Sequence, residues 1–340
     1  MVTQPQNLRY LSGFTGDSSW ILVSGRERIL FTDGRYTSQA QEECPGWMVF
    51  GTKTGLSAAL KDYAGEAGFM DLAYDYCDMT VETHQRLLLT LEGALSLTGE
   101  EDPCYTLRQT KDSWELYQIE KAASIADEAL TELRPKIKAG VSERWLATEL
   151  YYLLCRLGSE GVAFDTIVAA GPQSAWPHAR PTDYRIAQGD FVTIDFGAVV
   201  NGYRSDTTRT FIVGAADKLQ KERYHLVLEA QKKALAEIKP GAYTRVIDSV
   251  ARDLLTDAGC GEFFGHGLGH SFGLDIHEEP RFSQLAADTP LAAGMTMTVE
   301  PGIYIPGWGG LRIEDCVMVT KESLNTFSRF PKTLEEMVII

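Results

Sequence analysis

Short apolar runs alternate with polar stretches through the first hundred residues. Trp20 to Val23, Ile29 to Phe31 and Met48 to Phe50 carry the branched and aromatic side chains that suit a pleated, half-buried surface, and a helical pattern runs from about Tyr36 to Glu43. Alternating strand and helix signals continue to about Pro103, which predicts a small α/β domain. The period then changes. Asp112-Ser-Trp-Glu115 has the spacing of a capping box, and Leu116, Ile119, Ala123, Ala126, Leu130 and Leu133 follow in steps of three or four, as on one buried helical stripe. Pro135 and Gly140 stop that helix. The change places a boundary near Leu107 and predicts domains over 1–106 and 107–340.

A faint duplication runs through the second domain at an offset of about one hundred residues. Ile137-Lys-Ala-Gly140 recurs as Ile238-Lys-Pro-Gly241, and Arg144 and Arg245 follow at equal distance where a helix opens. His178 recurs as His277, and Thr193-Ile-Asp-Phe-Gly197 recurs as Thr298-Val-Glu-Pro-Gly302. A second acid follows in each half, Asp206 after Asp195 and Glu314 after Glu300. Matches that keep their order are harder to ascribe to chance than one short repeat. Each half is thus expected to supply a strand–turn–strand unit with an acid on each strand, so that four carboxylates converge where the halves meet.

Composition narrows the function. The chain has 340 residues, 44% of them hydrophobic and 23% charged, which is ordinary globular usage and excludes fibrous or disordered classes. Its formal net charge is −15, with no basic run, so neither nucleic acid nor an anionic membrane is an expected partner. The six cysteines lie far apart without a C-x-x-C pair, and the first residues lack the charged-then-apolar pattern of a leader. They read as thiols of a reducing compartment, and the chain as cytoplasmic.

Asp195, Glu300 and Glu314 sit among β-formers, where an unpaired buried carboxylate costs about 3 kcal/mol or more. Something cationic should face them. Four of the six histidines, His178, His266, His270 and His277, fall in the same Gly-rich, acid-containing region. Gly265-His-Gly-Leu-Gly-His270 is not an H-E-x-x-H zinc helix, because its glycines oppose helix and the Glu is missing; a ligand on a strand or loop fits better. Asp195-Phe-Gly197 spells a kinase metal motif without the loops that accompany it, and no G-x-G-x-x-G follows a strand. One imidazole with four carboxylates is an oxygen-rich set that suits Mn²⁺, with Co²⁺ or Zn²⁺ as alternatives. Five ligands exceed the usual share of one ion, so the economical reading is a two-metal hydrolytic site.

The ordered set Pro177-His178, Asp195-Phe-Gly, Asp206-Thr-Thr-Arg-Thr, His266-Gly-Leu-Gly-His270, His277-Glu-Glu-Pro, Glu300-Pro-Gly-Ile-Tyr304 and Arg312-Ile-Glu-Asp resembles the metallopeptidases of the pita-bread fold, family M24, from about Leu107 to the C-terminus. Asn7-Leu-Arg-Tyr-Leu-Ser-Gly-Phe-Thr-Gly16 and Phe31-Thr-Asp-Gly-Arg-Tyr36 resemble the creatinase-type N-terminal domain carried by Xaa-Pro aminopeptidases, which methionine aminopeptidases lack. One departure stands out: only nine residues precede Tyr10, where relatives carry a further strand and helix.

The resemblance implies a small α/β N-terminal domain followed by a duplicated α+β catalytic domain. It implies that Asp195 and Asp206 bind one ion and His270 and Glu300 the second, with Asp206 and Glu314 bridging. Glu300 also handles the proton of the attacking water, His178 and His277 hold the scissile carbonyl, His266 and Tyr304 line the substrate site, and Arg312 anchors substrate or Glu314. The implied activity is release of the first residue from peptides with proline second, in a homodimer whose N-terminal domain approaches the neighbour's active site. The alternatives are an Xaa-Pro dipeptidase with the same site, and an inactive peptide-binding relative, which the presence of all five ligands disfavours.

Overall fold

The structure is a computed structural model that describes residues 1–340, and the chain divides into two units, Met1–Leu107 and Arg108–Ile340. In the first, helix α1 (Pro5–Ser12) precedes strands β1 (Trp20–Val23) and β2 (Arg28–Asp33), helix α2 (Thr37–Glu43) and strand β3 (Met48–Thr52). Helix α3 (Leu56–Ala67), strand β4 (Asp71–Asp75), helix α4 (Val81–Leu91) and strand β5 (Ser96–Glu100) complete it. Strand β2 pairs antiparallel with β1 and parallel with β3, so it lies centrally, and Ile29, Leu30, Phe31 and Thr32 are all buried. Strands β4 and β5 form a separate parallel pair. Leu22, Ile29, Phe31, Leu60, Leu72, Leu87 and Leu91 share one apolar cluster. The three strands read from the apolar runs are present, each of the last two longer by polar residues that carry no hydrophobic signal.

Helix α5 (Tyr105–Gln109) straddles the division, and α6 (Ser113–Leu133) follows. The capping box is complete: the Asp112 carboxylate accepts from the N–H groups of Trp114 and Glu115, and the Glu115 carboxylate accepts from the N–H of Asp112 at 2.8 Å. Its buried face holds Ile119, Ala123, Ala126, Leu130 and Leu133 as the spacing predicts, while Leu116 is half-buried. Then come α7 (Glu143–Arg156), β6 (Ile167–Ala170), β7 (Phe191–Phe196), the short hairpin β8 (Val199–Val200) and β9 (Tyr203–Arg204), and β10 (Thr207–Val213). Gly197, at the exit of β7, admits no side chain, since a Cβ there would lie 1.8 Å from the Ser205 carbonyl oxygen.

The second half repeats this plan. Helices α8 (Lys218–Glu237) and α9 (Thr244–Asp257) are followed by β11 (Gly269–Ser271), β12 (Glu278–Phe282) and β13 (Thr296–Val299). The hairpin β14 (Gly302–Ile305) and β15 (Gly309–Arg312) leads to β16 (Asp315–Val319) and β17 (Leu324–Thr326), and the chain closes with α10 (Leu334–Met337) and β18 (Val338–Ile339). Strands β7 and β10 pair antiparallel across the hairpin between them, and β13 and β16 do the same. Strand β6 joins β7 on one side, β18 runs parallel to β10 on the other, and β17 extends the β13–β16 pair. The duplicated catalytic architecture expected from the sequence is therefore present. No helix is long and apolar enough to cross a membrane.

Every residue of β10 is buried although four of its seven are threonine or arginine, so each must find a partner inside. Thr210 meets the Thr193 hydroxyl at 3.0 Å, and Arg209 donates to the Asp315 carboxylate and to the carbonyls of Phe330 and Pro331. Helix α6 packs against α7 and the β8–β9 hairpin, and its start depends on the cap. Replacing Asp112 with Ala is expected to lower stability by about 1 kcal/mol, read from the denaturant midpoint, because two N–H groups lose their acceptor. An unchanged midpoint would contradict that role.

Candidate metal centre

The two antiparallel pairs bring the four acids together. Asp195 lies on β7 opposite Thr208; Asp206 directly precedes β10, Glu300 directly follows β13 and Glu314 directly precedes β16. The sequence reading placed each acid on a strand, and three of the four instead stand one residue beyond a strand end. There the chain leaves the ladder, and the carboxylates turn towards one another. Ligand oxygens of Asp195, Asp206 and Glu314 all lie within 4.8 Å of one another.

His270 reaches the same cluster from β11. Its Nε2 is 3.7 Å from Asp206 Oδ2 and 3.5 Å from Glu300 Oε1, and its Nδ1 is 3.0 Å from the Ser271 carbonyl oxygen. A carbonyl only accepts, so the proton sits on Nδ1 and the Nε2 lone pair faces the acids. Burial, aided by the neighbouring His277, pushes the imidazole down to about 3, which keeps it neutral. A neutral imidazole oriented by a carbonyl on its far nitrogen is the form in which histidine binds a metal.

Arg312 is the guanidinium that meets the carboxylates of this cluster, and all its nitrogens are engaged. Nη2 donates to Asp195 Oδ2 at 2.6 Å, Nε to the Thr208 hydroxyl at 3.1 Å, and Nη1 to the Tyr304 hydroxyl at 2.6 Å and the Pro177 carbonyl at 3.3 Å. The Thr208 hydroxyl in turn donates to Glu314 Oε2 at 2.6 Å. Tyr304 lies 3.1 Å from His266 Nε2, whose Nδ1 donates to the Gly267 carbonyl. His266 is therefore the acceptor from Tyr304. Burial and then Arg312 hold His266 down at about 4, and burial pushes Tyr304 up to about 12.

One arginine does not balance four acids. Burial, then Glu314, Asp195 and Glu300, raises Asp206 well above the usual carboxylate range. Burial with Glu300 and Asp195 does the same to Glu314, and burial lifts Glu300 to about 8 against the opposing pull of Arg312. Asp195 Oδ1 is buried without a hydrogen-bond partner, while its other oxygen is held by Arg312. An orphaned carboxylate oxygen, mutually repelling acids and a neutral imidazole lone pair aimed among them fit divalent cations; with oxygen donors dominant, the set is hard.

The cluster forms the floor of an open cleft of about 980 Å³. His178 and His277 line it, the His277 ring standing edge-on to that of His270 with centroids 4.5 Å apart, and Arg144, Arg180 and Arg281 also line it. All the residues singled out from the sequence thus meet in one place. The contributions of Thr208, Thr298 and Cys316 were not read from the sequence. Thr298 Oγ1 accepts from the His270 N–H at 3.0 Å and is 3.3 Å from Glu300 Oε1. Their only sequence signal is position, two residues before or after an acid.

Residues 117–321 match the model of metallopeptidase family M24, and residues 1–110 match that of the creatinase/prolidase N-terminal domain. The chain is 38% identical to a protein of Pyrococcus furiosus named Xaa-Pro dipeptidase, with 99% of this chain and 94% of the relative aligned. Among solved structures, it resembles an Xaa-Pro dipeptidase from Bacillus anthracis with a TM-score of 0.95 and 37% identity, over 99% of this chain and 94% of that one. It resembles an X-Pro aminopeptidase from Thermotoga maritima with a TM-score of 0.92 and 37% identity, over 99% and 95%.

The raised Glu300 carboxyl gives a signed prediction for the metal-free protein. A carboxyl held above its unfolded value binds its proton more tightly when folded, so stability is lost as pH rises from about 4.5 towards 8. In chelator-treated protein, Glu300→Gln should therefore melt progressively higher than wild type as pH is raised from 5 to 8. A constant difference across that range would show that Glu300 does not carry the strain.

Proposed function

Because the chain belongs to metallopeptidase family M24 and carries the creatinase/prolidase N-terminal domain, we propose that it hydrolyses the bond between a residue and a following proline, with the dipeptide Xaa-Pro as its preferred substrate. The observation that carries the hydrolytic reading is the buried cluster of Asp195, Asp206 and Glu314 with His270 and Glu300 alongside. The sequence reading put the aminopeptidase first; relatives named Xaa-Pro dipeptidase that align over nearly the whole chain support reversing that order. The cleft agrees in charge, because arginines in its lining suit the free carboxylate that a dipeptide presents beside its scissile bond. The Thermotoga maritima likeness keeps the Xaa-Pro aminopeptidase as the second reading.

Asp195 and Asp206 would hold one divalent ion and His270 and Glu300 the other, with Asp206 and Glu314 shared. Ions bound there supply Lewis acidity and make water acidic enough to attack near neutral pH. Glu300 takes up the proton that the attacking water loses, as a carboxylate beside the nucleophile can. His178 and His277 hold the scissile carbonyl and donate to the negative charge that develops on its oxygen. Burial lowers His277, which keeps its ring neutral and a single N–H available. The buried run from Arg312 through Tyr304 to His266 stiffens the cleft wall, so Arg312 acts by orienting Asp195 and Glu314 rather than as a free anchor for substrate. Proline at the second position has no amide N–H and a fixed φ, and a pocket shaped to its ring selects against acyclic residues. Mn²⁺ is the proposed metal, and a homodimer the proposed assembly. All six cysteines are free thiols, which supports a cytoplasmic setting.

Exhaustive chelation should abolish activity and Mn²⁺ or Co²⁺ restore it. Asp206→Asn or Glu314→Gln should leave the protein unable to retain two ions, since each acid is shared; metal analysis finding two tightly held ions in either variant would contradict the assignment.

Substrate length separates the two readings. Xaa-Pro should be cleaved with higher kcat/KM than Xaa-Pro-Xaa under matched metal and pH, and Xaa-Ala poorly. Faster cleavage of the longer peptide would transfer the assignment to the aminopeptidase.

A further inference from the structure

Thr208 and Cys316 occupy equivalent places in the duplication, each two residues past an acid, Asp206 in the first half and Glu314 in the second. Each reaches across to the other half's acid. The Thr208 hydroxyl donates to Glu314 Oε2 at 2.6 Å, and the Glu314 N–H donates to the Thr208 carbonyl at 3.1 Å. The Cys316 thiol donates to the Asp206 carbonyl at 2.7 Å and accepts from the Asp206 N–H at 3.2 Å. Both residues are fully buried, so no water competes for these bonds.

Neighbouring polar groups connect both residues to the surrounding strands. The Thr208 hydroxyl accepts from Arg312 Nε at 3.1 Å while it donates to Glu314 Oε2. The Cys316 N–H donates to the Ser328 hydroxyl, which is 3.0 Å from the Thr207 hydroxyl, and Thr207 in turn donates to the Asp206 carbonyl. One contact thus orients a carboxylate and the other a peptide group, and both act on the distance between the same two acids.

We propose that Thr208 and Cys316 are a reciprocal pair of positioning residues that set the spacing of Asp206 and Glu314 and thereby the affinity for metal. The proposal rests on the metal-dependent reading above. Groups that orient ligands without touching the ion typically change affinity by about 10- to 100-fold. Neither residue touches substrate, so the effect belongs to metal binding and not to KM.

The test is Mn²⁺ titration by calorimetry on the full-length, metal-stripped chain, with near-ultraviolet circular dichroism as the folding control. Thr208→Val keeps shape and removes the hydroxyl; Cys316→Ala removes the thiol. Each should weaken Mn²⁺ binding by about 10-fold, with KM for the peptide unchanged at saturating metal. Thr208→Ser and Cys316→Ser, which restore a donor, should recover most of the loss. The double variant Thr208→Val with Cys316→Ala should lose less than the product of the single effects, because both loosen one pair of acids. Unaltered affinity in folded Thr208→Val and Cys316→Ala would overturn the proposal, as would a loss that the serine variants share. Failure of the wild-type chain to bind Mn²⁺ would instead overturn the metal-dependent reading itself.

Discussion

Four carboxylates and a neutral imidazole lie buried together beside a single arginine, and the rest of the catalytic unit is arranged around that electrostatic load. Desolvation raises Asp206, Glu300 and Glu314, so the cluster disfavours its own ionised state until cations enter. Such a site persists only if the surrounding strands hold it against relaxation. Arg312 lessens the repulsion and orients two acids at once, directly at Asp195 and through Thr208 at Glu314.

The holding is done by polar groups in strands that are otherwise core. Arg209, fully buried on β10, joins the Asp315 carboxylate, the carbonyls of Glu314, Phe330 and Pro331, and so fastens the C-terminal segment behind Glu314. Asp315 is also met by Lys332 and by Gln231 from α8. A buried pair of this kind adds little net stability over an apolar packing, but breaking it leaves a charge without a partner, and it admits few alternative registers. Here the register decides where the acids meet. One residue of slippage between β10 and β7 would move Thr208 from its place opposite Asp195.

What could be read in the sequence was local or ordered. The capping box at Asp112 depends on four consecutive residues, and the stripe along α6 on a helical period. The duplication showed because its anchors kept their order, and that order brought the four acids together, whereas His270 was singled out by the resemblance to the pita-bread metallopeptidases. Long-range pairing left no such trace. The parallel partnership of β18 with β10, the burial of Arg209 in a Thr-rich run, and the crossed contacts of Thr208 and Cys316 all join residues a hundred or more positions apart. No period along the chain encodes them. Three of the four acids stood one residue off the expected strands, because hydrophobic patterning marks where a ladder lies but not where its last hydrogen bond ends.

The two halves share a scaffold yet differ at one decisive place. Strand β11, laddered to β12, lies close to β13, where the His270 N–H meets Thr298 Oγ1 and the Leu268 carbonyl accepts from the Glu300 N–H, whereas β6 is laddered to β7 itself. In the first half the corresponding strand is wholly apolar, Ile167-Val-Ala-Ala170, and offers no ligand. The single imidazole therefore enters from the second half alone, and the arginine that steadies Asp195 comes from that half as well. A two-fold scaffold thus encloses a cluster without two-fold chemistry: Asp195, Asp206 and Glu314 bring oxygens within 4.8 Å of one another, while His270 lies against Asp206 and Glu300. The chemical difference between the halves thus lies in what their strands bring to the cluster: β11 carries the imidazole of His270, whereas β6 carries apolar side chains alone.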